Sequence, residues 1–182
     1  MQVRETPLAG AWLIELDLHA DERGWFARTF DSEEFEARGL NPRVVQCNAS
    51  FNPTRATLRG MHYQAEPHGE SKLVRCVRGS VYDVALDLRG DSPTFCRWHG
   101  VELSAENHLA LYIPAGMAHG FQTLTDDCEM LYQMGHRYVP DAGRGVRWDD
   151  PAFGIEWPAA PVERSISEKD LSYPDFDPRA AR

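Results

Sequence analysis

A succession of short β-prone segments, each closed by turn-forming residues, dominates the sequence from residue 43 to residue 148. Proline, glycine, asparagine and aspartate cluster between the segments, as they do in loops that connect strands. Many short strands at this spacing are typical of a β-sandwich or β-barrel. No helix-length pattern lies between them, so the sequence predicts an all-β fold and argues against a doubly wound parallel sheet. The predicted strands are 44–47, 57–64, 72–77, 81–88, 94–103, 109–113, 120–124, 128–134 and 145–148.

The N-terminal region adds two extended segments and one short helix. Apolar and polar residues alternate over residues 12–18, which is the period of a strand with one buried face. After a turn, residues 25–30 form an aromatic, extended run. A short helix is predicted next, because Asp31 or Ser32 can cap its first amides, acidic residues fill its first turn and Gly39 can end it.

Length and charge limit the classes of function. The 182 residues, 42% of them hydrophobic, fit one globular domain, and the longest apolar runs are too short to cross a bilayer. A net charge of −9 argues against a nucleic-acid groove, although an anionic ligand such as a nucleotide diphosphate can bind where arginines converge. The N-terminus lacks the apolar core of a signal peptide, and the four cysteines form no CxxC pair. We therefore expect a cytoplasmic protein with reduced, mostly buried cysteines.

Four polar side chains interrupt two otherwise apolar segments. Arg59, His62 and Gln64 lie in the predicted strand 57–64, and Lys72 begins the next strand. Together they predict a pocket for an anionic or ketone-bearing ligand. The alternative is an edge strand whose polar side chains are solvated, which is the commoner situation for any one of these residues alone.

His62 and Tyr132 are candidates for proton transfer. A histidine has an ordinary pKa of ~6.5 and is the usual general base near neutral pH. The alternative for His62 is a buried, hydrogen-bonded core histidine. Tyr132 alternates with Met130 and Met134 and shares their strand face. Such a tyrosine is ordinarily structural, but a buried phenol that faces a pocket can also act as a general acid.

His119 follows a tight turn in the spacing Pro-x-Gly-x-x-His, which resembles the second motif of the cupins, a double-stranded β-helix superfamily. The first cupin motif usually offers His-x-His and a glutamate to a metal. Here the matching place is His62-Tyr-Gln64, so the second histidine is missing and we predict no metal site. His68 and Glu70 could in principle add ligands, but their context predicts a loop.

The sequence alone leaves the roles of three aspartates open. Asp83 and Asp87 lie on one face of a predicted strand, which either lines the cavity or is a solvated outer face. By composition, Asp170 is a surface acid in a polar turn.

Taken together, these motifs resemble the dTDP-4-dehydrorhamnose 3,5-epimerases, and the resemblance extends over nearly the whole chain. A lone Pro-x-Gly-x-x-His would be weak evidence, whereas this many ordered matches are highly specific. The matching segments are 21–24 (DERG), 46–50 (QCNAS), 58–64 (LRGMHYQ), 72–75 (KLVR), 83–89 (DVALDLR), 92–94 (SPT), 113–116 (IPAG), 118–121 (AHGF), 149–151 (DDP), 155–158 (IEWP) and 167–170 (SEKD).

The resemblance implies a cupin double-stranded β-helix, or jelly roll, with a few short peripheral helices. It implies a single domain over residues 1–182, with an N-terminal arm and dimer strands (1–50), a jelly-roll core (51–150) and a C-terminal cover segment (151–182). It also implies a homodimer that acts on a nucleotide-sugar without a metal or organic cofactor, and that binds neither nucleic acid nor membrane.

The resemblance assigns roles to four residues in an epimerisation at C3 and C5 of a 4-keto-6-deoxyhexose. His62 matches the general base, Asp170 the carboxylate that orients it, and Tyr132 the general acid on the opposite face of the sugar. Lys72 matches the group near the C4 ketone oxygen, where positive charge stabilises the enolate. The residues that match substrate-binding positions are Arg59 and His119 around the sugar and diphosphate, and Arg23, Phe26, Gln46, Asn48 and Tyr138 around the nucleotide.

One departure from the family concerns the base. Arg28 stands where the family usually has an acidic residue that we expect to contact thymine, so a CDP-sugar is an alternative to a dTDP-sugar. Epimerisation at C3 only or C5 only is a further alternative. The competing functions are a metal-dependent cupin enzyme that uses His62 and His119, and a non-catalytic sugar-binding cupin. The presence of all four matched catalytic residues disfavours the binding module.

Overall fold

The structure is a computed structural model that describes residues 1–160 and 162–179. Its strands are β1 (Gln2–Glu5), β2 (Trp12–Glu15), β3 (His19–Asp21), β4 (Gly24–Phe26), β5 (Gln46–Asn52), β6 (Leu58–Gln64), β7 (Lys72–Arg78), β8 (Ser80–Asp87), β9 (Trp98–Ser104), β10 (Ala110–Ile113), β11 (Met117–Thr123), β12 (Cys128–Met134) and β13 (Gly143–Gly145). The helices are α1 (Ser32–Ala37), α2 (Glu168–Leu171) and a 3-10 turn at Pro140–Ala142.

Two antiparallel sheets form the body of the domain. One has the strand order β1-β2-β10-β7-β12-β5 and the other the order β13-β6-β11-β8-β9, while β3 and β4 form a separate hairpin. Neighbours in space are mostly distant in sequence, as in a jelly roll. The all-β cupin prediction is confirmed. Both helices in the described part of the chain are much too short to cross a bilayer.

The hydrophobic core lies between the two sheets. Val74, Leu111 and Met130 from the six-stranded sheet are fully buried in one cluster with Leu103 and Phe121 from the five-stranded sheet. Burial of apolar side chains from both inner faces stabilises the sandwich by roughly 1.5–3 kcal/mol for each large side chain. The strands that carry the polar candidates therefore stand on a rigid support.

A second apolar cluster joins the C-terminal segment to the outer face of the five-stranded sheet. Phe153, Trp157 and Phe176 pack there against Met61 and Leu86. Ser165 pairs in parallel with Thr57 at the start of β6. The predicted cover segment 151–182 also includes residues 161 and 180–182, which lie outside the described residues.

Several predicted boundaries need correction. The predicted strand 94–103 begins only at Trp98, because residues 92–97 form consecutive turns around the Asp87 carboxylate. The predicted strand 44–47 is β5 and continues to Asn52. The observed strand in segment 12–18 ends at Glu15, and the last strand lies at Gly143–Gly145 rather than 145–148.

The predicted N-terminal helix is confirmed, with Asp31 as its cap. The Asp31 Oδ1 atom accepts hydrogen bonds from the backbone amides of Glu33 and Glu34 at 3.1 and 3.2 Å. Among the cysteines, Cys76 and Cys128 are buried as predicted, whereas Cys47 is exposed, contrary to the expectation.

Candidate active site

Polar side chains from both sheets and from α2 converge on one cavity of about 620 Å³. His62 on β6 and His119 on β11 enter it from the five-stranded sheet, whereas Lys72 on β7 and Tyr132 on β12 enter from the six-stranded sheet. The sequence prediction of a polar pocket at these strands is confirmed. The polar lining residues include Asn48, Ser50, Arg59, His62, Lys72, His119, Tyr132, Lys169 and Asp170.

His62 forms a short hydrogen bond with Asp170, a residue that lies 108 positions later in the chain. The Nε2 atom of His62 lies 2.6 Å from Asp170 Oδ1, and Asp170 Oδ2 accepts a hydrogen bond from the Gly60 amide at 3.3 Å. The Ser167 hydroxyl caps α2 by accepting from the Asp170 amide at 3.1 Å. The helix cap thus fixes Asp170, which in turn fixes the imidazole.

The charge of Asp170 results from opposing effects. Burial raises the pKa of this carboxyl, but the hydrogen bonds from His62 and from the Gly60 amide outweigh burial and bring the pKa below its ordinary value. Asp170 is therefore a carboxylate at neutral pH. When the imidazole is neutral and its proton lies on Nε2, facing this carboxylate, Nδ1 is the acceptor nitrogen of the ring.

Two glycines allow β6 and β11 to approach closely beside this pair. Gly60 has a φ of +119°, and a Cβ atom there would lie 2.4 Å from Gly120 Cα. Only glycine fits this approach. Two residues further along β6, His62 is the cross-strand partner of His119, so the two imidazoles belong to one wall of the cavity.

His119 is held by a buried carboxylate. Its Nε2 atom lies 2.8 Å from Asp83 Oδ2, and Asp83 is completely buried. Asp87 is also fully buried but belongs to a separate network with Arg89, Ser92 and Thr94. The prediction that the face of Asp83 and Asp87 either lines the cavity or is solvated is wrong on both counts. Asp83 contacts the cavity wall through its hydrogen bond with His119.

Tyr132 faces the histidines from the opposite sheet. Its hydroxyl lies 3.0 Å from Ser50 Oγ, and its ring lies 6.2 Å from that of His119 in an edge-on arrangement. Burial raises the pKa of the Tyr132 phenol to about 12, against the smaller opposing effect of the Ser50 hydrogen bond. The phenol therefore remains protonated at neutral pH and is able to donate.

Cationic groups complete the cavity. Lys72 is buried, and its Nζ atom lies 2.6 Å from Glu70 Oε1. Arg59 donates from Nε to Asn52 Oδ1 at 2.7 Å, which fixes the guanidinium beside the cavity. With Lys169 at the rim, these groups give an acidic protein a locally basic pocket.

Gln64 does not join the cavity, so its assignment to the predicted pocket is wrong. It is buried behind the cavity wall, where its Nε2 atom donates to Glu70 Oε2 at 3.0 Å and to the carbonyls of His68 and Arg137 at 3.1 Å. The side-chain amide of Gln64 therefore donates hydrogen bonds to backbone carbonyls of two loops. In the described part of the chain, no group of three or more His, Cys, Asp or Glu side chains is arranged to hold a metal ion.

Four of the predicted nucleotide-binding residues lie outside the cavity lining. Arg23 and Phe26 are exposed on the β3–β4 hairpin, where Arg23 pairs with Asp21. Gln46 Nε2 donates to Asn48 Oδ1 at 3.1 Å, and Gln46 Oε1 accepts from the Tyr138 backbone amide at 3.2 Å. Gln46 and Tyr138 are therefore linked to the cavity lining through Asn48.

The sequence reasoning missed several supporting residues. Ser50 and Asn52 continue the β5 face that begins with Asn48, a period of two that could have identified both. Lys169 is next to Asp170 in the matched segment 167–170, and both side chains line the cavity. The partnership of Glu70 with Lys72 has no signal in the sequence, because a loop residue has no periodic pattern that indicates where its side chain points.

An antiparallel double-sheet barrel whose interior holds an oriented histidine, a protonated tyrosine and a buried lysine is typical of a cupin-type enzyme. The family model for dTDP-4-dehydrorhamnose 3,5-epimerase matches residues 5–178. The chain belongs to the dTDP-4-dehydrorhamnose 3,5-epimerase family, as the sequence motifs had indicated.

Individual relatives agree with this membership. The dTDP-4-dehydrorhamnose 3,5-epimerase of Methanothermobacter thermautotrophicus is 46% identical over 171 residues, which cover 93% of this chain and 91% of the relative. A Legionella pneumophila dTDP-6-deoxy-D-glucose-3,5-epimerase in complex with dTDP-4-keto-L-rhamnose superposes with a TM-score of 0.88 at 36% identity, covering 94% of this chain and 90% of the other. A 3'-monoepimerase from Streptomyces bikiniensis in complex with dTDP-quinovose gives 0.87 at 36% identity, covering 94% and 86%.

Proposed function

We propose that this protein epimerises C3 and C5 of dTDP-4-dehydro-6-deoxy-D-glucose to give dTDP-4-dehydro-L-rhamnose. The observation that carries the proposal is the placement of His62 and Tyr132 on opposing sheets of one cavity, with Lys72 in its wall. Inversion of a carbon centre requires a proton to leave one face of the sugar and another to return on the opposite face. A base and an acid on opposing walls suit that requirement.

The chemistry begins at His62. With Asp170 holding the Nε2 proton, the free Nδ1 atom removes a proton α to the C4 ketone, and the C–H electron pair moves into an enolate. The imidazolium formed is stabilised by the Asp170 carboxylate. Return of a proton from the base to the same face would only regenerate the substrate.

Lys72 and Tyr132 complete the inversion. The Lys72 ammonium stabilises the negative charge that develops on the C4 oxygen, which makes the α proton removable. The Tyr132 hydroxyl then delivers a proton to the opposite face of the carbon, and solvent restores the phenol and the histidine. The same sequence at the second α carbon gives the doubly inverted sugar. These steps use side-chain groups of this chain alone.

Substrate recognition is assigned to the surrounding residues. Arg59 and His119 bind the sugar and diphosphate, and Asn48, Gln46 and Tyr138 hold the nucleotide from the same chain. Arg23 and Phe26 are exposed on the β3–β4 hairpin, and Phe26 is 74% exposed. We assign Arg23 and Phe26 to the nucleotide site of the partner subunit in a homodimer. We also propose that the enzyme acts in the cytoplasm.

Exposed apolar side chains on the outer face of the six-stranded sheet support the homodimer. Phe51 on β5, Val77 on β7 and Leu131 on β12 are each 40–49% exposed and lie on neighbouring strands. A soluble monomer rarely keeps such a patch uncovered. Sedimentation should give twice the chain mass of 20.6 kDa, and Leu131→Glu should shift it toward the monomer.

Isotope exchange tests the reaction directly. The protein is incubated with dTDP-4-dehydro-6-deoxy-D-glucose in deuterated water, the product is trapped by reduction, and deuterium is located by NMR. We expect deuterium at both C3 and C5 and a product of the L series. Label at C3 alone would favour the activity named for the similar Streptomyces bikiniensis 3'-monoepimerase, and no label at either carbon would refute the proposal.

Arg28 is the residue that raises the question of which nucleotide base the enzyme prefers. This side chain pairs with Asp31 at 2.6 Å and is mostly exposed. Comparison of kcat/KM for the dTDP- and CDP-linked sugars decides the nucleotide. A preference for the cytidine form would change the proposed substrate and leave the proposed chemistry intact.

A further inference from the structure

Glu70 and Lys72 form an ion pair that is almost completely removed from solvent. Lys72 Nζ lies 2.6 Å from Glu70 Oε1, and the two side chains are 6% and 8% exposed. Lys72 lines the cavity, whereas Glu70 is absent from the lining and lies in the loop before β7. The carboxylate therefore contacts the lysine without contacting a molecule bound in the cavity.

The Glu70 carboxylate is fixed by a second residue. Gln64 Nε2 donates to Glu70 Oε2 at 3.0 Å, and the same amide is tied to the carbonyls of His68 and Arg137. The side-chain oxygen of Gln64, Oε1, accepts from the Val139 backbone amide at 2.6 Å. With all of these bonds in place, neither the amide nor the carboxylate is free to rotate, so Lys72 meets its partner at a set position.

The surroundings of Lys72 oppose its positive charge. Burial lowers the pKa of Lys72, and the Glu70 carboxylate acts in the opposite direction without fully restoring it. The other titratable side chains that line the cavity are Arg59, His62, His119, Tyr132, Lys169 and Asp170. Asp170 is the carboxylic acid among them, and it is already bonded to His62. Glu70 is thus the carboxylate in contact with this ammonium.

We propose that Glu70 is a positioning residue that keeps Lys72 charged and in place in the cavity wall. The role of Lys72 at the C4 oxygen rests on the proposed function, whereas the dependence of Lys72 on Glu70 does not. Replacing Glu70 with glutamine keeps the size and removes the charge, and it also puts a donor in place of one of the two oxygens that face Lys72 Nζ and Gln64 Nε2. The buried ammonium then loses its counter-charge and gives up its proton at a lower pH.

Because the chain has two lysines, Lys72 and Lys169, the titration can be observed directly. Protein labelled with 13C-lysine gives two Cε signals, and Lys169→Arg identifies the one from Lys72. In Glu70→Gln we expect the Lys72 titration midpoint to fall by about one pH unit or more, the size of effect that an opposite charge at this distance exerts. Glu34→Gln, which breaks the exposed Glu34–Arg38 pair on α1, is the matched control and should leave it unchanged.

A conservative variant guards against misfolding of Glu70→Gln. Glu70→Asp keeps the charge and withdraws it by one methylene, so its midpoint should lie between those of the wild type and Glu70→Gln. Circular dichroism and thermal melts establish that each variant is folded. A midpoint that stays at the wild-type value, or rises, in the folded variants would overturn the proposal.

Kinetics separate this inference from the proposed function. In Glu70→Gln the alkaline limb of the kcat/KM profile should move to lower pH together with the Lys72 midpoint, and Glu70→Asp should restore most of the difference. A structural role alone would lower activity at every pH without moving the limb. If the NMR midpoint moves and the alkaline limb does not, the Glu70 inference holds and the assignment of Lys72 to the C4 oxygen fails.

Discussion

His62 Nε2 lies 2.6 Å from Asp170 Oδ1, so a histidine in the middle of the barrel is oriented by a carboxylate from the C-terminal segment. Removing the imidazole leaves no other proton acceptor in this position. His62→Ala should therefore abolish deuterium exchange at the epimerised carbons, a loss of at least ~10²–10⁴-fold. Asp170→Asn keeps the base but disturbs its tautomer, so its loss should be smaller.

Exchange and turnover measured on the same samples test this order of effects. Near-normal epimerisation by His62→Ala would refute the proposal that this cavity is the active site. A larger loss in Asp170→Asn than in His62→Ala would show that the carboxylate does more than orient the ring.

Tyr132→Phe should separate proton removal from inversion. The phenol is protonated at neutral pH because burial raises its pKa to about 12, and the mutant lacks this donor while His62 remains. We expect the variant to exchange solvent deuterium at C3 or C5 while failing to invert the centre. NMR of the recovered sugar distinguishes labelled substrate from labelled product, and normal inversion would exclude Tyr132 as the acid.

The sequence predicted the sheets well because strand periodicity is local. It placed the end of the turn before β9 wrongly, because that turn is held by Asp87, whose carboxylate bonds Ser92 and Thr94. No residue near Thr94 in the sequence encodes this constraint by pattern alone.

The site residues likewise differ in how far the local sequence could identify them. His62 and Lys72 stood out as polar residues in apolar strands, so local composition identified them. Asp170 had no signal of its own, because its role depends on a contact across 108 residues, and only the family resemblance selected it. Gln64 shares the strand face of His62, yet it lies at the end of β6, where its amide bonds Glu70 and two loop carbonyls instead of lining the cavity. Strand composition alone does not decide where along a face the cavity ends.

Gly60→Ala should destabilise the fold through a collision between strands. The new Cβ atom would lie 2.4 Å from Gly120 Cα, and both atoms belong to paired backbones that cannot move apart easily. Overpacking of this kind costs about 1–3 kcal/mol, in addition to the strain of a positive φ. Denaturant unfolding should show the loss.

Gly24→Ala is the matched control for backbone strain. Gly24 has a φ of +125°, close to the +119° of Gly60, but a Cβ atom there would meet nothing within 4 Å. Its loss of stability should be the smaller of the two. Equal losses would mean that strain, not the contact between strands, accounts for the effect at Gly60.

Mixed dimers should reveal whether Arg23 acts in the partner subunit. Arg23→Ala and His62→Ala homodimers are each expected to be nearly inactive. After unfolding and refolding together, half of the dimers would combine one intact core with one intact arm, and about one quarter of the wild-type activity should return. No recovery, with heterodimers shown by mass spectrometry, would place Arg23 in the site of its own chain, and an active Arg23→Ala homodimer would place it outside any site.

Asp87 offers a test of stability against pH away from the cavity. It is fully buried, and its carboxylate accepts hydrogen bonds from Arg89, Ser92 and Thr94. Burial raises the pKa of Asp87, but these bonds outweigh burial, and its pKa lies below the ordinary value of ~3.9 in the folded protein. Such a group stabilises the fold above its unfolded pKa, and this contribution is lost as the pH falls through the folded pKa.

Asp87→Asn should therefore lower the free energy of unfolding by about 3 kcal/mol at pH 7, because it leaves the Arg89 guanidinium without its charged partner. The difference from the wild type should shrink as the pH falls below ~4, since the unfolded wild-type carboxyl then takes up a proton before the folded one does. Urea unfolding of both proteins between pH 7 and pH 3 measures this difference. Asp91→Asn, in the same loop but exposed, should change stability by less than about 0.5 kcal/mol. A deficit in Asp87→Asn that stays constant down to pH 3 would show that it comes from altered packing rather than from the lost charge.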